Sequence, residues 1–238
     1  MRTSADSTPG WMLDERAFAG RENLDVDHVA RYDDKEDASA GVEVALLREF
    51  GLDDTSTVIE FGPGTGQFTV AVAPECATVV AVDVSPAMRA RLQVKCAAAG
   101  LSNVSIIDAG FLSYEHSGPP ADMVYSRYAL HHLPDFWKAV ALGKMRAALR
   151  TRGILRLWDV VYHFDAADAA ERIEAWCATG GTDVTAEWSR SEIEEHARDE
   201  HSTFTWLLEP MMVRAGFEIE RAEYSPDDFS AQYIALAI

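Results

Sequence analysis

A short apolar run that enters three glycines spaced two apart constrains this chain more than any other feature. Thr57-Val58-Ile59-Glu60-Phe61 reads as a strand, Gly62-Pro63-Gly64-Thr65-Gly66 as a turn, and Gln67–Ala73 as the helix that follows. Glycine has no Cβ, so it tolerates positive φ and lets another group lie against the main chain. A strand, a glycine turn and a helix in succession form a unit whose backbone must approach something closely.

Strands and helices keep alternating downstream. Thr78–Val82 is an apolar strand closed by Asp83, and Ser85-Pro86 supplies an N-cap with proline at the first helical position. That helix runs to about Ala99, where Gly100 stops it. Val104–Ile107 and Met123–Ser126 are further strands, and the polar segment between them is too short for a full helix. Pro134 opens a helix to Leu149, and Gly153–Val160 is a fifth strand. Val- and Ile-rich strands separated by helices predict a parallel sheet covered on both faces. The expected fold is therefore α/β, a Rossmann-like doubly wound sheet, mostly parallel. Phe217–Tyr224 and Phe229–Ile238 form a terminal hairpin around Ser225-Pro226-Asp227-Asp228.

Four segments follow from this rhythm. Residues 1–41 lack a sustained apolar period and read as an irregular arm; residues 42–160 are the ligand-binding core. Within the core, Val42–Phe50 reads as a helix with Val42, Leu46 and Phe50 on its apolar face. Residues 161–206 break the alternation with two acidic, aromatic-rich helical stretches, and read as an inserted helical lid. Residues 207–238 return to the sheet through a helix and the hairpin.

The balance of 21 basic and 39 acidic side chains gives a net charge of −18, a field that repels nucleic acid and anionic membrane. Cys76, Cys96 and Cys177 have no CxxC spacing, so the expectation is a reduced, cytoplasmic setting without disulfides, a cysteine zinc site or another metal. The first residues lack the apolar stretch of a signal peptide, and no apolar run has membrane-spanning length.

The glycine turn alone leaves two nucleotide ligands to weigh. A dinucleotide fingerprint is G-x-G-x-x-G; here the third glycine comes one residue early. A triphosphate loop needs Gly-Lys-Ser/Thr, and no lysine lies near. With Glu60 two residues before the first glycine, Asp83 ending the second strand, Asp108-Ala109 ending the third and Ser126-Arg127-Tyr128-Ala129-Leu130-His131-His132-Leu133 after the fourth, residues 42–160 and the hairpin resemble the class I S-adenosylmethionine-dependent methyltransferases, in particular the small-molecule branch. The resemblance implies that Glu60, Gly62, Gly64 and Gly66 lie against the methionine part of S-adenosylmethionine. It implies that Asp83, with Val84 beside it, accepts the ribose hydroxyls and that Met88 packs on the adenine. Asp108 and Ala109 would meet the adenine edge, and Ser126 would stand near the cofactor's amino group.

Methyl transfer from a sulfonium is an in-line displacement. Alignment can be worth effective molarities of about 10⁵ M or more, and a general base roughly 10²–10⁴-fold. His131 and His132 are the candidate bases, on the ground of histidine's ordinary pKa. Tyr32 in the N-terminal arm is a candidate to close over the cofactor, and His163 and Trp206 are candidates to line a small-molecule acceptor pocket under the lid. The expected partners are a small-molecule substrate and a second copy of the chain, with neither nucleic acid nor membrane. Two alternatives stand beside this reading: an NAD(P)-dependent oxidoreductase, for which no Tyr-x-x-x-Lys set is present, and an inactive cofactor-binding partner protein.

Overall fold

A computed structural model describes residues 9–20, 29, 39–181 and 188–238. After a 3₁₀ turn at Glu15–Phe18, the described elements are α1 (Ala40–Glu49), β1 (Thr57–Phe61), α2 (Gln67–Val72), β2 (Thr78–Asp83), α3 (Pro86–Ala98), β3 (Val104–Asp108), β4 (Ala121–Arg127), α4 (Asp135–Ala148) and β5 (Leu149–Tyr162). There follow α5 (Ala169–Thr179), α6 (Arg190–Asp199), β6 (Thr203–Phe204), α7 (Thr205–Arg214), β7 (Phe217–Tyr224) and β8 (Ser230–Ala237).

The strands form one sheet in the order β3-β2-β1-β4-β5-β8-β7, with the two-residue β6 attached to β5. β1 pairs in parallel with β2 and with β4, whereas β8 runs antiparallel between β5 and β7. This is the mostly parallel, doubly wound sheet that the sequence predicts, closed by its antiparallel hairpin. Chain order reverses between β1 and β4, and such a switch point leaves a crevice at the strands' C-terminal ends.

Strand alternation divides the buried residues into two layers. Ile59, Val82, Val124, Leu155 and Leu157 face one core with residues of α4 and α7. Val58, Val79, Met123 and Ile154 face the other with residues of α1 and α2. Both faces are thus covered, which is why the central strands carry nearly continuous apolar runs.

The predicted face of α1 is rotated. Val42 is exposed, and the buried residues are Glu43, Val44 and Leu47. The cause is an ion pair in the sheet's covered face: Arg156 on β5 donates through Nε and Nη2 to the two carboxylate oxygens of Glu43, each at 2.8 Å. Gln232 of β8 accepts a further bond from Arg156 at 2.6 Å. The β3–β4 connection carries no helix, and β5 begins four residues earlier than its apolar pattern indicates, taking in Leu149 to Arg152.

α3 starts as the sequence requires, with the Ser85 hydroxyl accepting from the Met88 N–H at 3.1 Å. The N-cap therefore stands two residues after Asp83, which fixes that carboxylate at the mouth of the crevice.

Candidate active site

The glycine turn sits at the switch point. Gly62, Gly64 and Gly66 all have positive φ. A Cβ on Gly62 would stand 2.4 Å from the Cβ of Ala129, in the loop after β4. One on Gly66 would stand 2.2 Å from Leu92 of α3. Glycine is needed here because the turn is pressed between two neighbouring elements as well as bent.

Two adjoining clefts open at the C-terminal ends of β1, β2 and β4 and share Gly62, Gly64, Arg127 and Tyr128. Glu60 lines the first cleft; Asp83, Val84 and Met88 line the second. Seven of the residues to which the sequence assigns a cofactor or catalytic role thereby converge: Glu60, Gly62, Gly64, Asp83, Val84, Met88 and His132. Gly66 instead shapes the start of α2.

Asp83 accepts the Ser85 N–H at 2.7 Å and is also bonded by the Gly64 N–H. Burial raises its pKa to about 6, against the pull of those N–H groups and of Arg89. Glu60 is buried more deeply and accepts from the Thr69 hydroxyl. Burial lifts it to about 8, with the Asp83 charge adding to the rise, so it holds a proton at neutral pH.

Asp108 lies in register with Asp83 but does not line either cleft. It is exposed and is bridged by Arg16 at 2.9 Å and Arg89 at 2.8 Å. Arg16 also donates to the Val84 carbonyl at 3.2 Å, and Glu15 accepts N–H groups of Leu112 and Ser113 at 2.9 and 3.0 Å. The Glu15–Phe18 turn thus closes the Asp108 side of the cleft, with Glu15 and Ala19 in its wall. Ala109 is half-buried against the core, and Ser126 is fully buried beneath the site.

The two histidines have opposite environments. His131 is buried away from the clefts, with Nδ1 2.5 Å from Asp159 and Nε2 3.1 Å from Glu200. Burial opposes its charge, but Asp159 and Glu200 outweigh that and push its pKa up to about 10. A buried imidazolium held by two carboxylates does not take a proton from an acceptor, which corrects the expectation for His131. His132 does line the second cleft; burial and the adjacent His131 charge lower its pKa to about 3. It is neutral, and a weak base.

The expected acceptor residues lie elsewhere. His163 is exposed and stacks on Tyr224 at 3.7 Å, while Trp206 is exposed and stacks on Phe204 at 5.4 Å. Neither lines the clefts. Tyr32 is outside the described residues. Conversely, Arg127 and Tyr128 line both clefts and carry no assignment from sequence. The Arg127 guanidinium lies 4.1 Å over Trp158, and Tyr128 has φ 48, a left-handed conformation rare outside glycine. Their position directly after a strand adjoining the switch point was the available signal.

The chemistry of this donor set can be compared with the candidate ligands. Among the described residues three carboxyl groups, one guanidinium and the apolar side chains of Met88, Val84 and Leu133 line the clefts. Asp83 suits a pair of hydroxyl donors, and Arg127 suits a carboxylate. A pyrophosphate would place negative charge beside Asp83, with Arg127 the one guanidinium or ammonium side chain among the described residues of the cleft walls. The residues fit a nucleoside bearing an amino-acid group and lacking phosphate.

Comparison with known proteins agrees. A family profile described as a methyltransferase domain matches residues 58–153. An uncharacterized methyltransferase of Geobacillus kaustophilus is 30% identical over 167 residues, which cover 70% of this chain and 71% of that protein. The chain is a class I S-adenosylmethionine-dependent methyltransferase by family. The uncharacterized methyltransferase YrrT of Bacillus subtilis is 34% identical over 119 residues, 50% of this chain. With it and other curated relatives the match spans about half of their length, 52% in the case of YrrT. Among solved structures, a SAM-dependent methyltransferase of Aquifex aeolicus superposes with a TM-score of 0.62 at 17% identity, covering 90% of this chain and 99% of that one. Magnesium protoporphyrin IX methyltransferase of Synechocystis, solved with bound SAM, gives 0.60 at 14% identity, covering 96% and 99%. Both share the methyltransferase fold, and S-adenosylmethionine is the family's cofactor.

Proposed function

We propose that this chain transfers a methyl group from S-adenosylmethionine to a small-molecule acceptor. The observation that supports the reading is the placement of Asp83, Glu60 and Arg127 around the glycine turn in the two adjoining clefts at the switch point. The bound cofactor supplies a methyl group on a positively charged sulfur, already activated for displacement.

The protein's part is binding, orientation and the exclusion of water. Asp83 holds the ribose hydroxyls, Arg127 the cofactor's carboxylate, and Met88 with Val84 and Leu133 the adenine. Glu60, protonated in the free protein at neutral pH, sits under the turn where a cationic ligand favours its ionised form. Tyr128, with its left-handed backbone, is fixed at the junction of the two clefts.

Catalysis rests on alignment rather than on a strong base, because His132 is neutral and weakly basic and His131 is committed to its carboxylates. An acceptor that arrives with a free lone pair meets this site's requirements. α6 and the residues just after it pack on the loop after β4, where Glu200 meets His131 and the His201 N–H donates to the His131 carbonyl at 2.9 Å. The net charge of −18 disfavours nucleic acid and anionic membranes as partners. Among the described residues no helix is long and apolar enough to cross a membrane.

A methyl-release assay across a panel of amines, phenols, thiols and carboxylates tests the reading. Turnover with one class supports it; cofactor binding without turnover on any class would favour an inactive cofactor-binding protein.

A further inference from the structure

A second cluster of chemically able side chains lies beside the methyltransferase cleft. His131 follows β4, whereas His196 and Glu200 lie on and just after α6, some 65 residues later in the chain. Their nearest ligating atoms all fall within 4.8 Å of one another, and both histidines are buried. His131 Nε2 is 3.1 Å from Glu200 Oε2, and His196 Nδ1 meets the same oxygen.

We propose that His131, His196 and Glu200 bind a single Zn²⁺ ion that ties α6 to the core of the sheet.

Four observations carry this assignment. The first is the ligand set. Two imidazoles and one carboxylate are borderline donors that suit zinc, whereas Mg²⁺ and Ca²⁺ take oxygen. The second is spacing. Bonds of about 2.0–2.2 Å place neighbouring donors of a tetrahedral zinc roughly 3.4 Å apart. The His131–Glu200 separation of 3.1 Å is close to that, the shorter His196–Glu200 contact opens on binding, and three protein ligands leave a fourth position for water.

The third observation is the support behind each imidazole. Asp159 lies 2.5 Å from His131 Nδ1 and is itself fixed by the N–H groups of Leu130 and His131, at 2.8 and 3.1 Å. That directs Nε2 toward the cluster, the arrangement by which a carboxylate orients a metal-binding histidine. Ser202 Oγ lies 2.9 Å from His196 Nε2 and in the same way leaves Nδ1 for the cluster. Trp176 packs edge-on against the His196 ring at 5.4 Å and gives the site an apolar wall.

The fourth is charge. Metal binding displaces the proton that His131 holds in the free protein, and Asp159 and Glu200 then carry two negative charges in a buried space, the complement of a divalent cation. Lys138, whose charge acts on Asp159, is committed to Asp135 at 3.0 Å and to the carbonyls of Leu133 and His201. The cysteines are not involved: Cys76, Cys96 and Cys177 are buried and lie outside the cluster.

The test uses untagged full-length protein, stripped with a chelator and titrated with Zn²⁺ alone against a chromophoric competitor. One ion per chain with submicromolar affinity is expected, together with a raised melting temperature. His196→Asn and Glu200→Gln should each weaken binding at least 100-fold, and Ser202→Ala about tenfold, as second-layer losses do. Should a ligand variant fail to fold, Co²⁺ substitution in the unaltered protein decides. Visible bands of a low-coordinate cobalt with nitrogen and oxygen ligands, and no thiolate charge-transfer band, support the site. Binding below one equivalent, binding that survives both ligand variants, or a six-coordinate cobalt spectrum would overturn it and leave the cluster as a buried ion-pair network.

Discussion

Asp83 and Asp108 stand in register at the C-terminal ends of adjacent strands, but Asp83 is only 8% exposed whereas the Asp108 side chain is 55% exposed. The buried carboxylate faces the cleft; the exposed one is bridged by Arg16 and Arg89. Replacing them should therefore have unequal effects. Asp83→Ala should weaken S-adenosylmethionine binding roughly tenfold or more, the loss expected of charge-assisted hydrogen bonds. Asp108→Ala should cost less, through a loosened Glu15–Phe18 turn. Calorimetry on the two variants compares them, and equal losses would contradict the assignment.

The pKa of Asp83 also sets a pH dependence. Ribose hydroxyls donate to an ionised carboxylate, so cofactor affinity should decline as pH falls below about 6, where the free protein protonates Asp83. Titrations at pH 5 and 7.5 measure this. Unchanged affinity would mean that Asp83 does not meet the ribose.

Glu60 predicts a stability trend of the opposite kind to a salt-bridged acid. Its folded pKa is raised to about 8 from 4.5, so between those values the folded protein keeps a proton that the unfolded chain releases. The unfolded state then binds fewer protons, and unfolding free energy falls as pH rises through that window. Glu60→Gln removes this contribution. Urea unfolding at pH 6 and pH 8.5 should show a smaller pH-dependent loss in the variant than in the parent; identical losses would refute the burial argument.

The pair Glu43–Arg156 is almost fully buried on both sides. Removing one partner strands the other, which costs about 3–5 kcal/mol, whereas an apolar replacement of both is far milder. Glu43→Ala and Arg156→Ala should each be strongly destabilising, and a Glu43→Leu, Arg156→Met double variant should recover much of the loss. Chemical denaturation of the three variants tests the coupling, and additive losses would count against it.

At the glycine turn, Gly62→Ala brings a Cβ against Ala129 and places a side chain at φ 68. It should lower both stability and cofactor affinity. Ala129→Gly in the same chain removes the clash but not the backbone strain, so it should restore part of the loss. No recovery would show that the turn is not pressed against the loop after β4.

How much of this was legible in sequence depended on the range of the interaction. Ser85-Pro86 and Gly100 delimit α3 by local chemistry, and they were readable. So were β1 and β2, whose Val and Ile runs are buried on both faces. The face of α1 was not, because periodicity counts Glu43 as solvent-facing, and only Arg156, distant in sequence, makes its burial tolerable. The two residues of β6 are too few to give a pattern. His131 and His132 are adjacent in sequence, yet one is an imidazolium among carboxylates and the other a neutral wall of the cleft. That difference is made by Asp159 and Glu200, and no motif at positions 131 and 132 announces it. Arg127 and Tyr128 are neither acids nor glycines, and only their place at the end of β4, beside the switch point, marks them.

The most direct test of the account is calorimetric titration of the purified chain with S-adenosylmethionine and, separately, with NAD. The account predicts one S-adenosylmethionine bound per chain, a marked loss of affinity in Asp83→Ala, and no heat from NAD. Binding of NAD with no response to S-adenosylmethionine would contradict it.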